Sequence, residues 1–477
     1  MPDHDLRARQ QANTGTLREL PPRFWLLVII TGIAAGLGAI AMMAVLRTVQ
    51  HAAFAYHSGE YSTAAAHRSH LRLFVVLCVG GLLTGVGLWV MRRFLGGTGG
   101  QPTAVVWSGR GRLSLVLTTL SGALSEVSIG LGGSIGRENA PQHFGAAFGS
   151  WIAERFRIPP AQRMLLIACG AGAGVGAVYN VPFAGAVFAA ELYLGSVTLR
   201  SVVPALLTAG IATAVGWITL PIQPVYHVPM LGYPSASLLV WSVLAGPLIG
   251  LAAAAWVKLV GWANDRRPRG LGLTVQPLVA FAILGLLAFQ YPLLLGNGRD
   301  LAQFAFIGAG TLGTLAALSV LKPLVTAMCL GSGAIGGLFT PTFSTGAVLG
   351  AFLGGVWAHI WPHAPLAAYA VIGSAAMLGA SMRTPVAGIA FSIELTGTVD
   401  ASMLAMILAL AGAMLVARLI ERRSIYSARL QPLPAPEQPQ TDGDGPPGPP
   451  PAPPAGGALR KREAVPEAPA PERRAGR

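Results

Sequence analysis

Glu138 lies in the run Gly132-Gly133-Ser134-Ile135-Gly136-Arg137-Glu138-Asn139-Ala140-Pro141, and an apolar stretch from Phe144 to Ile152 follows closely. Glycines that end one segment ahead of an apolar run read as a loop feeding a helix N-terminus. Free backbone N–H groups point out of such an end, and the helix dipole favours an anion there. Arg137 adds positive charge, and Asn139 stands on the other side of the acid; both join the candidate anion-binding set. A carboxylate in this place competes with a free anion and lets go once protonated. Glu138 is therefore a candidate gate. The plainer reading is a carboxylate that caps its own helix.

A second segment has the same form without any charge: Gly336-Gly337-Leu338-Phe339-Thr340-Pro341. Proline suits a first helical turn, where its missing N–H costs nothing. The N–H groups of Leu338 and Phe339 would then face an ion. Two hydroxyls stand at other segment boundaries. Thr98 lies in Gly96-Gly97-Thr98-Gly99-Gly100-Gln101-Pro102, and Tyr426 follows the last long apolar run. A hydroxyl donates a hydrogen bond without trapping a halide by full charge.

Other patterns fail on context. Gly132-x-Ser134-x-Gly136 spells a nucleophile elbow with His143 nearby, but no strand precedes it. Gly331-x-Gly333-x-x-Gly336 spells a dinucleotide fingerprint without a βαβ unit. His51, His57, His67 and His70 read as solvated loop residues. Cys78, Cys169 and Cys329 sit in apolar segments without metal-ligand spacing. Neither a metal nor a cofactor is expected. Lys258 can snorkel to an interface, whereas Lys322 sits in apolar surroundings with no evident role.

The elements that must position these residues are membrane helices. The 477 residues are 53% hydrophobic and only 11% charged, against about 25% charged in a soluble domain. That excludes a soluble enzyme, a coiled coil and a nucleic-acid reader. Trp25–Leu46 and Leu73–Val90 are long enough to approach the roughly 30 Å of a bilayer core. Beyond them the apolar stretches are short and broken by glycine turns. Non-helical backbone survives at membrane depth only where protein or a cavity surrounds it, and half-helices that end there are how transporters build ion sites. Residues 24–427 carry 22 basic residues against 10 acidic. The clusters Arg92–Arg93, Arg155–Arg157, Arg266–Arg269 and Arg422–Arg423 read as cytoplasmic ends; a positive field drawing in an anion is the other reading.

The chain also repeats itself. Pro182-x-Ala-Gly-x-x-Phe-x-x-Glu191-Leu192 matches Pro385-x-Ala-Gly-x-x-Phe-x-x-Glu394-Leu395, and Gly170 and Gly176 match Gly373 and Gly379 at the same offset of 203. Ile135-Gly136 and Pro141 match Ile335-Gly336 and Pro341 at an offset of 200. Two homologous halves follow, with the site at their interface; the matches leave open whether the halves are parallel or inverted. The expected divisions are a polar segment 1–23, a first half 24–220, a second half 221–427 and a proline-rich disordered tail 428–477.

Over about 24–427 the chain resembles the CLC family of chloride channels and proton-coupled chloride exchangers. The family signatures are G-S-G-I-P, G-[KR]-E-G-P, G-x-F-x-P and a tyrosine on the last helix. Gly337-Leu338-Phe339-Thr340-Pro341 fits the third in full, Gly136-Arg137-Glu138 begins the second, and Tyr426 supplies the tyrosine. The resemblance implies an all-α, polytopic membrane protein with two inverted-repeat halves of tilted, broken helices. It implies a homodimer with a pore in each subunit, a gate at Glu138, and anion coordination by Thr98, Tyr426 and the N–H groups of Leu338 and Phe339. Chloride or a similar small anion is the implied substrate, with protons added in exchangers and membrane lipid as surroundings. The expected place is the plasma (inner) membrane of a bacterium. Three positions depart from the pattern. Gly97-Thr98-Gly99-Gly100-Gln101 replaces G-S-G-I-P, Asn139-Ala140 follows the gate instead of Gly-Pro, and Leu192 stands where exchangers often carry an inner proton-handling glutamate. Glu191 beside it has a repeat partner in Glu394, which suggests a structural role. The expectation is channel-like or weakly proton-coupled anion transport, with a tightly coupled proton/chloride antiporter as the alternative. A carrier of larger anions and a membrane-embedded enzyme are the remaining rivals.

Overall fold

The computed structural model describes residues 17–56, 59–229, 231, 235–362, 364–398 and 402–430. The proline-rich segment 431–477, most of the polar segment 1–23 and His57 lie outside them. The described residues form seventeen α-helices and no strand. In chain order they are α1 (Pro22–Phe54), α2 (Tyr61–Ala66), α3 (His70–Phe94), α4 (Pro102–Ser108), α5 (Leu115–Gly130), α6 (Asn139–Arg155), α7 (Pro160–Tyr179), α8 (Pro182–Phe188) and α9 (Leu199–Gly216). Then come α10 (Ala236–Asp265), α11 (Gly272–Ala288), α12 (Arg299–Phe306), α13 (Leu312–Gly331), α14 (Phe339–Trp357), α15 (Leu366–Met382), α16 (Pro385–Thr396) and α17 (Ser402–Ile420). Eight of these are long and apolar enough to cross a membrane. The first two spans outrun their apolar cores, because Pro22 fits the first turn of α1 and Ser69 caps α3 at the N–H of Arg72.

Setting the short α2 aside, α1 and α3–α9 recur in the same order as α10–α17. Corresponding helices carry their basic residues at opposite ends. Arg23 opens α1, whereas Arg266, Arg267 and Arg269 follow α10; Arg200 opens α9, whereas Arg418 closes α17 and Arg422 and Arg423 follow it. With basic ends on one side of the membrane, corresponding helices run in opposite directions. The halves are inverted.

Small residues make the crossings. A Cβ at Gly145 on α6 would collide with the carbonyl of Gly170 on α7, and one at Gly170 with that of Gly145. The same mutual exclusion joins Gly346 on α14 to Gly373 on α15. Only glycine lets these backbones approach so closely, the packing that a membrane helix relies on where burial of apolar surface gives no drive.

The halves are also tied by reciprocal bonds. Gly136 N–H donates to Gly337 C=O at 2.8 Å, and Gly337 N–H donates back to Gly136 C=O at 2.8 Å. The Glu191 carboxylate accepts from Val386 N–H at 3.2 Å and Ala387 N–H at 2.8 Å, at the start of α16. Glu394 accepts from Phe183 N–H at 3.2 Å and Ala184 N–H at 2.6 Å, at the start of α8. Each acid caps the corresponding helix of the other half, with its negative charge on the positive helix end.

Candidate functional site

The Gly136–Gly337 bridge brings the two glycine loops together, and with them the starts of α6 and α14. Glu138 precedes α6 but makes no side-chain cap to it. Its carboxylate crosses to the other half instead. Oε1 accepts from Phe339 N–H at 2.8 Å, and Oε2 accepts from the hydroxyls of Thr340 at 3.1 Å and Tyr179 at 3.0 Å. The Tyr179 and Thr340 hydroxyls are themselves 2.5 Å apart. Glu138 is buried, with 1% exposure. A Cβ at Gly337 would fall on this carboxylate, which is why the residue beside it has no side chain. A helix N–H and two hydroxyls converging on one point are donors of the kind a small anion takes, and here the Glu138 carboxylate fills that place.

A small cavity adjoins this site. Asn139, Gln142, Gly337, Tyr426, Arg429 and Gln101 are among its lining residues. Asn139 and Gly337 place it against Glu138. Tyr426 lies beyond α17, as the residue before a 3-10 turn at Ser427–Arg429, and its ring packs 6.1 Å from that of Phe188. Gln142 donates to the Tyr193 hydroxyl at 2.7 Å.

The expected residues therefore divide. Phe339, Leu338 and Glu138 meet at the α14 start; Tyr426 and Asn139 meet at the cavity. Arg137 stands behind Tyr179, its guanidinium 5.1 Å from the centre of that ring. Thr98 is half-buried in the loop before α4, and the cavity is reached from that stretch by Gln101, Pro102 and Thr103. Tyr426→Phe is expected to weaken halide binding about two- to tenfold, the worth of one neutral donor at about 0.5–1.5 kcal/mol. Halide titration by calorimetry checks this; Gln101→Leu should have the larger effect of the two loop changes when compared with Thr98→Val. An unchanged affinity in Tyr426→Phe would remove the phenol from the site.

Thr340, Tyr179 and Arg429 were not anticipated. Thr340 sits inside the Gly-x-Phe-x-Pro motif, so its signal was present. Tyr179 ends α7, and nothing local marks it. Ser134 accepts from the buried Lys322 ammonium at 2.8 Å, which gives the apparent nucleophile elbow a packing role.

Fold and site together define an integral, multi-pass membrane protein whose two inverted halves meet at a buried glutamate held by a helix N–H and two hydroxyls. Residues 87–418 match the family described as voltage gated chloride channel, and the chain belongs to that family. It is 33% identical over 384 residues to a ClcB-like chloride channel protein of Ralstonia nicotianae, covering 77% of this chain and 87% of the relative. It is 28% identical over 459 residues to the H(+)/Cl(-) exchange transporter ClcA of Cronobacter sakazakii, covering 89% of this chain and 93% of that one. Among solved structures, a slow cyanobacterial Cl-/H+ antiporter superposes with a TM-score of 0.74 at 22% identity, covering 86% of this chain and 97% of the other. A CLC-type fluoride/proton antiporter gives 0.71 at 20% identity, covering 87% and 99%. These two share the fold.

Proposed function

We propose that the chain moves chloride or a similar small anion across the membrane between the N-termini of α6 and α14, with Glu138 as the gate. The observation that carries this reading is the Glu138 carboxylate on Phe339 N–H, in the place a passing anion would take. A carboxylate that leaves its own helix uncapped to fill the other half's anion site is a plug. Thr340 and Tyr179 would release their hydroxyls to the anion when the plug lifts. Tyr426, Asn139, Gln101 and Arg429 line the next position along the path. The halves 24–220 and 221–427 each supply one side of it. The assembly proposed is a homodimer in a bacterial inner membrane, each subunit with its own path. The work done is transport, with no enzymatic step.

Two kinds of relative bear on proton coupling, because one is named a channel and another an exchanger. Leu192 can neither bind nor release a proton. Glu191 is committed to the N–H groups of α16. Coupling is therefore expected to be weak or absent. The test is liposome flux under combined chloride and proton gradients: chloride should move, and a chloride gradient should drive little uphill proton movement. Proton pumping in a fixed ratio would establish the antiporter alternative. No chloride movement, with transport of a larger anion, would overturn the substrate.

A further inference from the structure

Glu126 is an acid within α5 at 0% exposure, and neither of its carboxylate oxygens has a hydrogen-bond partner among the described residues. It lies one turn beyond Gly122, on the same helix face. A Cβ at Gly122 would meet Ala140 of α6 at 3.1 Å, and a Cβ at Gly130, one turn further, would meet Val49 of α1 at 2.7 Å. Glu126 therefore sits between α1 and the start of α6, beside the gate. Its charged neighbours are Arg137 and Glu138. The Arg137 Nε is likewise buried and unpartnered.

The other elements around α5 bring these groups, with Asp300 standing behind Tyr61, where it accepts from Ser62 N–H at 2.7 Å. From α1 comes Arg47, which has Arg137 and Arg299 as neighbours. From α2 comes Tyr61, whose hydroxyl donates to Gly130 C=O at 3.3 Å. From α3 comes Thr84, bonded to Ser128 at 2.7 Å. Tyr179 and Tyr226 stand by Arg137.

An ionised carboxyl with no hydrogen bond is strongly disfavoured in a buried site. A Glu138 ionised on its three donors, as the gate reading has it, thus suits a neutral Glu126. When the gate lifts as a neutral acid, its charge is gone and the free Arg137 Nε can receive a carboxylate. An acid inside a membrane is costly enough that function is the first explanation to test.

We propose that Glu126 is a second proton-binding carboxyl of the transport cycle, exchanging one proton with the Glu138 gate. On opening, one O–H bond breaks at Glu126 and one forms at Glu138, and the new Glu126 carboxylate pairs with Arg137. On closing the proton returns. The pair holds one proton through this exchange, so opening near neutral pH needs none from the bulk, and a second proton taken up at acid pH opens the gate further. This rests on the gate reading of Glu138.

The experiment is chloride flux from liposomes across pH 4.5–8 for wild type, Glu126→Gln, Glu126→Asp, Glu138→Gln and the double Gln variant. Glutamine at 126 cannot give up the proton, so opening must take one from the bulk. The flux midpoint should move to lower pH by about one unit, tenfold in proton concentration, with flux recovered at acid pH. Glu126→Asp should stay near wild type, and the double variant should behave as Glu138→Gln. An unchanged pH profile in Glu126→Gln, with Glu138→Gln behaving as a gate variant, overturns this proposal alone. A Glu138→Gln variant indistinguishable from wild type overturns the gate itself. Should Glu126→Gln misfold, infrared spectra of Glu138→Gln against wild type decide the matter. A neutral buried carboxyl band at pH 7.5 in low chloride should be present in wild type and weaker in Glu138→Gln, where no Glu138 charge opposes an ionised Glu126 beside Arg137. Identical bands overturn the proposal.

Discussion

Glu138→Gln should raise anion flux and flatten its dependence on pH. In the closed state proposed above, an ionised Glu138 carboxylate receives one N–H and two O–H donors. Hydrogen bonds to a charged group are worth about 1.5–3 kcal/mol and neutral ones about 0.5–1.5 kcal/mol. Glutamine keeps the shape and an acceptor oxygen but loses the charge. The plug is thereby weakened by about 1–2 kcal/mol, a factor of about 5–30 in its occupancy. In the wild type the charged form closes the path, so flux should rise as pH falls and the carboxylate takes a proton. The variant has no such proton to take. Liposome efflux measured from pH 4.5 to 8 checks both parts. A folded variant with no flux, or one with the wild-type pH profile, would rule out Glu138 as the gate.

Lys322→Met should be the most destabilising single change near the site that leaves the anion path itself untouched. Lys322 is at 0% exposure, and its ammonium donates to Ser134 Oγ at 2.8 Å, Leu294 C=O at 3.1 Å and Gly296 C=O at 3.0 Å. Those bonds tie α13 to the turn ahead of α12 and to the glycine loop that carries Glu138. Methionine fills the stem's volume and leaves two buried carbonyls without that donor, each costing about 1–3 kcal/mol, while Ser134 keeps Thr326 at 3.4 Å. Relief from burying the ammonium offsets part of that. A net loss of about 2–4 kcal/mol is expected, read as a lowered unfolding midpoint of the detergent-solubilised protein. A variant as stable as wild type would rule out the Lys322 bonds to the two carbonyls as a net support of the fold.

The membrane class, the duplication and the two helix starts that meet at Glu138 were legible because each is a local or compositional matter. An 11% charged chain cannot coat a soluble surface, and Gly136-Arg137-Glu138 and Gly337-Leu338-Phe339-Thr340-Pro341 each place glycine and proline where a helix must begin. The pairing of Glu191 with Glu394 in the repeat pointed to a structural role, and the reciprocal helix caps are that role. Glu126 stands in the sequence as an acid in an apolar segment that drew no reading, because its spacing says nothing of what surrounds it.

What the sequence determined by itself is where helices start and stop, since N–H supply, glycine freedom and proline geometry act over a few residues. What only the tertiary structure decided is which group each exposed helix end meets. Glu138 and Phe339 are 201 residues apart, Tyr179 arrives from the end of α7, and Lys322 reaches Ser134 across 188 residues. No local preference encodes such meetings. They follow from inverted halves packed glycine to glycine, which set the start of α14 against a carboxylate of the other half.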